Sequence, residues 1–178
     1  MQSEIEKQYI EDSKTDPKCF EPLYTFYYER ILKFVYKRIE SLDDTREVTA
    51  IVFTKALTNI KKYKDRGFPF SSWLYRIAIN EINQFYRDSK KTRVISLDKK
   101  GVDNIGEEAD KLNPDLISAL RKALLYLTED ELVLIELRYF EERPFAEIGE
   151  ILEITENNAK VRTYRILDKL KEIFNKIA

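Results

Sequence analysis

The sequence predicts an all-α protein of two small helical domains joined by an acidic linker. The chain has only four glycines and five prolines among 178 residues, which favours long helices over turn-rich β folds. Apolar residues recur at steps of three and four, the spacing of one helix face, along most of the chain. This periodicity is lost before residue 114. We therefore place a first domain at residues 1–92, the linker at residues 93–113 and a second domain at residues 114–178.

Three helices are expected in the first domain, over residues 22–40, 44–64 and 72–90, as a three-to-four-helix bundle. The Ser41–Asp44 segment ends the first helix and caps the second. A glycine- and proline-containing loop over residues 65–70 precedes the third helix, which one of two serines in its first turn should cap. The residues expected to face the core are Leu23, Phe26, Tyr27, Ile31, Phe34, Val35 and Ile39, then Val48, Ile51, Val52, Ala56, Leu57 and Ile60, then Trp73, Leu74, Ile77, Ala78, Ile82 and Phe85.

Four helices are expected in the second domain. The first covers residues 115–126, and Thr128-Glu-Asp-Glu131 is a capping box for the next, which ends near Phe140. Helices over residues 145–152 and 155–177 follow, separated by only two residues. This short separation is typical of a helix-turn-helix.

The composition excludes several classes of function. The chain has no histidine and one cysteine, Cys19, so it cannot form a Ser-His-Asp triad, a histidine-ligated metal site or an intramolecular disulfide. It also lacks a glycine-rich phosphate loop, and we expect neither an enzyme nor a bound cofactor or metal. No apolar stretch approaches the length of a membrane span, and the N-terminus has no signal-peptide core. A cytoplasmic protein without membrane insertion is expected.

The near-neutral total charge hides two basic islands. Residues 61–93 carry a net charge of +6 and residues 160–178 one of +4, whereas residues 94–119 and 128–156 carry −3 and −8. Clustered lysine and arginine are the electrostatic signature of phosphate contact, so both islands are candidates for nucleic-acid binding. A solvated helix face is the alternative for either island alone.

The last two helices show the mechanical features of a helix-turn-helix. Gly149 is small where the helices must approach closely, Glu153 takes the turn position that favours a left-handed backbone, and Thr155 can cap the second helix. The inward face of that helix is expected to carry Ala159, Thr163, Ile166 and Leu170. The opposite face offers side chains that can contact bases or phosphates, namely Asn157, Lys160, Val161, Arg162, Tyr164 and Arg165. An ordinary helical hairpin with a solvated basic face remains the alternative.

The first basic island is interleaved with aromatic residues, a combination that suits single-stranded nucleic acid because bases stack on rings while cations follow the backbone. Its polar residues after position 79 recur at steps of three and four. The candidate contact residues are Lys62, Tyr63, Phe68, Phe70, Asn80, Asn83, Gln84 and Arg87. Core packing is the alternative for the aromatic members.

In this order, the segments closely resemble a bacterial RNA polymerase sigma factor of the extracytoplasmic function group. The stretches that carry the resemblance are Phe70-Ser-Ser-Trp-Leu-Tyr-Arg-Ile-Ala-Ile-Asn80, Leu137-Arg-Tyr-Phe-Glu141, Phe145-Ala-Glu-Ile-Gly-Glu-Ile-Leu152 and Lys160-Val-Arg-Thr-Tyr-Arg165. The resemblance implies that residues 1–92 are region 2, which binds the largest polymerase subunit and melts the −10 promoter element. It implies that residues 114–178 are region 4, which reads the −35 element and binds the second-largest subunit.

The resemblance also assigns roles to residues and partners. The loop of residues 64–71 would hold a flipped base, and Asn80, Gln84 and Arg87 would lie along the −10 strand. Core RNA polymerase, promoter DNA and an anti-sigma protein are the expected partners. The polymerase-binding residues would be Glu47, Ala50, Ile51 and Phe53.

Ala50 and Ile51 depart from the family pattern, since a polar pair usually stands there. An adaptor that binds polymerase or an anti-sigma protein without initiating transcription is therefore an alternative function. A repressor or activator that binds duplex DNA without polymerase is another, although it leaves the segment from Trp73 to Asn80 without a role.

Overall fold

The computed structural model describes residues 3–39, 41–89 and 114–177, which contain eight α-helices and no strand. The predicted all-α class is therefore confirmed. The chain divides between residues 94 and 95 into two compact units. The linker predicted at residues 93–113 lies outside the described residues.

The N-terminal unit contains the helices α1 (Ser3–Ser13), α2 (Glu21–Ile39), α3 (Leu42–Asn59) and α4 (Phe70–Ser89). Short 3-10 turns at Pro17–Phe20 and Ile60–Lys62 precede α2 and follow α3. Ser41 caps α3, as predicted, because its hydroxyl accepts a hydrogen bond from the Asp44 amide at 3.3 Å. Helices α2, α3 and α4 pack against one another, and α1 lies against α2.

The core of this unit lies where α2, α3 and α4 meet. Of the residues expected to face it, those that are buried are Leu23, Tyr27, Ile31, Phe34, Val35, Ile39, Val48, Val52, Ala56, Ile60, Leu74, Ala78 and Ile82, while Leu57, Trp73, Ile77 and Phe85 are half-buried. The expectation is wrong for Phe26 and Ile51, which are 47% and 37% exposed. Tyr27 and Val52, their neighbours along the chain, take the inward positions on those turns.

One additional helix and two helix boundaries of this unit differ from the prediction. Helix α1 was not expected, because its sequence is mostly polar and its apolar spacing is weak. Helix α3 ends at Asn59 rather than near residue 64. Helix α4 begins at Phe70, so Ser71 and Ser72 are buried within its first turn and neither is the cap.

A buried arginine connects α2 to α4. The guanidinium carbon of Arg38 lies 3.4 Å from the centroid of the Phe34 ring, and Arg38 Nη1 donates to the Phe34 backbone oxygen at 2.6 Å. The Tyr86 hydroxyl donates a hydrogen bond to the Arg38 backbone oxygen. The Arg38 side chain thus packs within α2, and the Tyr86 hydrogen bond ties the C-terminal part of α4 to the end of α2.

The C-terminal unit contains the helices α5 (Pro114–Leu124), α6 (Glu129–Ile135), α7 (Phe145–Leu152) and α8 (Glu156–Ile177). A π-helical turn, Glu136–Phe140, extends α6 to the predicted end of this helix. The predicted capping box is confirmed: the Glu131 amide donates to Thr128 Oγ1 at 3.3 Å, and the Thr128 amide donates to Glu131 Oε2 at 2.8 Å. Helices α5, α6 and α7 all pack against α8.

Within the described ranges, no helix combines the length and the apolar character needed to cross a membrane.

Candidate nucleic-acid interfaces

The corner between α7 and α8 has helix-turn-helix geometry. Gly149 allows the close approach, because a Cβ at this position would lie 2.7 Å from the backbone oxygen of Ile154. Glu153 adopts the expected left-handed backbone, with φ of 56°. Thr155 caps α8, since its hydroxyl accepts a hydrogen bond from the Asn158 amide at 3.2 Å.

Helix α8 separates two faces cleanly. The predicted inward residues are all buried, namely Ala159, Thr163, Ile166 and Leu170. The six residues predicted to contact DNA are all exposed, namely Asn157, Lys160, Val161, Arg162, Tyr164 and Arg165. This outer face therefore presents three cations, one amide and two apolar groups on a rigid helix, the chemistry that direct readout of a major groove requires.

The N-terminal unit presents a polar stripe along α4. Asn80, Gln84 and Arg87 are exposed and Asn83 is half-buried. Arg87 Nη2 donates to Gln84 Oε1 at 2.7 Å, and Gln84 Nε2 donates to the Asp88 carboxylate at 2.8 Å. The stripe therefore presents donors and acceptors along one face of the helix, and its C-terminal members, Gln84 and Arg87, are linked to each other by a hydrogen bond.

The loop before α4, which its glycine and proline predict, is held by a turn between Asp65 and Gly67. Gly67 has φ of +82°, and its amide donates to Asp65 Oδ1 at 2.8 Å. This hydrogen bond, together with Lys7 Nζ at 3.4 Å from Asp65 Oδ2, lowers the pKa of the Asp65 carboxyl. A cavity of about 470 Å³ lies between α1 and this loop, with Tyr63 and Phe68 in its wall. Helix α1, which the sequence did not predict, therefore forms one side of the loop site.

Phe70 requires a correction. It was expected in the loop as a stacking surface, yet it is the first residue of α4 and only 1% exposed. Its ring packs against Tyr27, Tyr63 and Trp73, with centroid distances of 5.8, 5.2 and 5.5 Å. The buried Phe70 ring therefore packs against the half-buried Tyr63. Lys62, the residue before Tyr63, is exposed.

The outer face of α3 carries the residues predicted to bind polymerase, with one exception. Glu47, Ala50 and Ile51 are exposed. Phe53 is only 4% exposed, and its ring lies 4.9 Å from that of Tyr24. Phe53 therefore belongs to the packing between α2 and α3, and its part in polymerase binding stays a prediction.

Two family models match the chain. The sigma-70 region 2 model matches residues 23–92, and the sigma-70 region 4 model matches residues 117–170. The first match covers nearly all of α2 and the whole of α3 and α4, and the second covers α7 and most of α8.

Several known proteins are similar over most of the chain. The ECF RNA polymerase sigma factor SigW of Bacillus subtilis (strain 168) is 25% identical over 183 residues, covering 97% of each chain. The RNA polymerase sigma factor SigZ of the same organism is 28% identical, covering 86% of this chain and 85% of its own. The solved structure of CnrH in complex with the cytosolic domain of CnrY shares the fold, with a TM-score of 0.63, 16% identity and coverage of 96% and 97%.

Proposed function

The chain belongs to the sigma-70 family, in its extracytoplasmic function group, and we propose that it directs core RNA polymerase to promoters through two DNA-contacting surfaces, one on each unit. It is a transcription initiation factor and not an enzyme. Core RNA polymerase and promoter DNA are its partners.

The observation that carries the assignment of the −35 surface is the separation of faces on α8. All six candidate contact residues are exposed, while the four residues opposite them are buried. A helix that is held in this way can enter a major groove without disturbing its own core. We assign Lys160, Arg162 and Arg165 to bases and phosphates of the −35 duplex.

The −10 surface is assigned to the α4 stripe and the preceding loop. Asn80, Gln84 and Arg87 supply donors and acceptors to an unpaired strand, and Tyr63 and Phe68 supply half-buried rings on which a base can stack. Opening a duplex requires such surfaces, because an unstacked base must recover its stacking energy on the protein.

The outer face of α3 is assigned to core polymerase, through Glu47, Ala50 and Ile51. The apolar pair Ala50 and Ile51 adapts this contact to an apolar patch on its partner. We further propose that an anti-sigma protein binds this chain and that the chain is cytoplasmic. Membership of the family supports both proposals.

In vitro transcription with core polymerase on a template library tests the assignment. Promoter-specific initiation should be lost with Lys160→Ala/Arg165→Ala and, separately, with Asn80→Ala/Arg87→Ala. The charge-matched control Lys171→Ala/Lys176→Ala removes two exposed cations from the end of α8 and should initiate normally. Loss of initiation in the control as well would contradict the assignment of specific contacts.

The adaptor alternative is favoured by one observation, the exposure of Ala50 and Ile51 where the family usually has polar residues. It predicts a chain that binds core polymerase but initiates from no template. Initiation by the unmodified chain excludes it.

A further inference from the structure

We propose that Arg138 and Phe145 are positioning residues that hold the Tyr164 ring in its orientation on the outer face of α8. These two side chains are called the aromatic support, because the Phe145 ring is the part that lies beside Tyr164. This inference rests on the proposed −35 function of that face. It gives a role to two residues that lie in the sequence stretches 137–141 and 145–152, outside α8 itself.

The three side chains lie in sequence, each beside the next. The Phe145 ring, at the start of α7, lies 6.2 Å from the Tyr164 ring between centroids, with a tilt of 53°. The guanidinium carbon of Arg138, in the π-helical turn, lies 4.7 Å from the centroid of the Phe145 ring. Phe145 therefore neighbours both a cation and a phenol.

Arg138 is itself fixed by the segment that follows. Its Nη1 donates to the backbone oxygen of Arg143 at 3.0 Å. The Arg143 amide donates to the Leu137 oxygen at 2.9 Å, and the Arg143 guanidinium lies 3.0 Å from the buried Glu147 carboxylate. The left-handed backbone of Glu142, with φ of 54°, turns the chain so that both contacts form. The support is thus anchored by hydrogen bonds that involve backbone atoms.

Tyr164 is 50% exposed, while Arg138 and Phe145 are half-buried. About half of the tyrosine side chain is therefore available to DNA, while its ring lies beside that of Phe145. A side chain that is ordered before binding loses less conformational entropy when it meets its target, and this favours one base geometry over others. Without the support, we expect Tyr164 to sample more rotamers and to discriminate less.

A different role is possible for an arginine near DNA, namely a phosphate contact, and the two roles have different signatures. A phosphate contact weakens binding to every sequence and lowers the slope of log K against log salt by about one. A positioning residue changes base preference at one position and leaves that slope unchanged.

The test uses holoenzyme reconstituted from core polymerase and the full chain, with a duplex library randomised at the −35 element. Arg138→Met and Phe145→Leu should relax base preference by roughly fivefold at the position that Tyr164→Ala also relaxes. Phe145→Tyr, which keeps the ring, should retain the wild-type preference. Arg121→Met, which removes an exposed cation of α5, is the matched control and should change nothing.

The outcomes are distinguishable. A uniform loss of affinity with Arg138→Met and a smaller salt slope would overturn positioning in favour of phosphate contact. Wild-type preference in Phe145→Leu would overturn it too. A wild-type holoenzyme that selects no −35 sequence would overturn the proposed function itself. Thermal unfolding of each variant by circular dichroism identifies any that fails to fold, and Arg138→Gln, which removes the cation but keeps a polar side chain, then takes its place in the comparison with Tyr164→Ala.

Discussion

A Cβ at Gly149 would lie 2.7 Å from the backbone oxygen of Ile154 and 3.2 Å from the backbone nitrogen of Glu156. Both neighbours are backbone atoms at the turn between α7 and α8, so they cannot move aside like the end of a flexible side chain. Gly149 therefore determines how closely the two helices of the DNA-reading motif approach.

Gly149→Ala should lower the free energy of unfolding of the C-terminal unit by about 1–3 kcal/mol, the usual cost of inserting a methyl group into a tightly packed site. Urea unfolding followed by circular dichroism measures this change. Lys171→Ala, an exposed position on α8, is the control and should stay within about 0.5 kcal/mol of wild type. An unchanged stability for Gly149→Ala would mean that the turn can open without cost.

Glu153→Gly should have the opposite effect. Glu153 holds φ of 56°, a conformation that costs a residue with a Cβ about 1 kcal/mol and glycine almost nothing. We expect a gain of about 0.5 kcal/mol, since the greater freedom of glycine in the unfolded chain offsets part of the relief. Thermal unfolding of Glu153→Gly beside Glu153→Ala separates the two contributions. If both variants shift the midpoint equally, backbone strain is not the cause.

The free energy of unfolding of the C-terminal unit should decrease at acidic pH, because Glu131 becomes protonated. Burial alone raises the pKa of Glu131, but hydrogen bonds from Lys169 at 2.7 Å and from the Thr128 amide outweigh it and lower the pKa below the ordinary value. Because the folded-state pKa is the lower one, this contribution is complete above about pH 4.5 and is lost as the pH falls through the folded-state pKa.

Unfolding free energies of wild type and Glu131→Gln across pH 3–7 measure the effect. Glutamine keeps the capping-box geometry but cannot titrate, so the variant should be less stable at neutral pH and the difference should shrink in acid. Lys169→Met removes the same ion pair from the other side and should show a similar profile. A difference that is independent of pH would exclude the ion pair as its source.

Substitutions of Phe53 and Glu47 should distinguish the residue of α3 that stabilises the fold from the residue that binds polymerase. Phe53→Ala should lower the free energy of unfolding by about 3–5 kcal/mol, because the ring is 4% exposed and packs on Tyr24. Glu47→Ala, at an exposed position, should leave stability within about 0.5 kcal/mol and reduce affinity for core polymerase. Fluorescence of Trp73, the one tryptophan of the chain, follows unfolding of this unit. Unchanged polymerase affinity for Glu47→Ala would remove this residue from the contact.

The sequence predicts the C-terminal unit more accurately than the N-terminal one, for physical reasons. The capping box at Thr128 and the turn at Glu153 are local signals, and short-range chemistry determines them. Helix α1 has no strong apolar periodicity; it lies against the 3-10 turn that follows it and against α2, and its Lys7 pairs with the distant Asp65. Local signals also failed at Phe70, because glycine and proline indicate a loop but do not determine the residue at which the next helix begins.

In the candidate sites, too, the sequence predicts features that depend on local spacing but not those that depend on contacts between distant residues. Helical spacing placed all six outward residues of α8 correctly, since one face of a regular helix follows from sequence alone. The burial of Phe70 and Phe53 depends on aromatic neighbours such as Tyr27 and Tyr24, which lie far away in the sequence. The aromatic support of Tyr164 likewise joins three elements, and no single segment reveals it.

The division of α8 into a buried and an exposed face also bears on how such a protein can change its targets. The four inward residues maintain the fold, and the six outward ones have no part in that core. Mutations on the outer face are therefore nearly neutral for folding and are free to alter the promoters that are recognised. A duplicated copy of this chain could acquire a new regulon by drift at a few surface positions, and an engineer could rewrite its specificity by the same route.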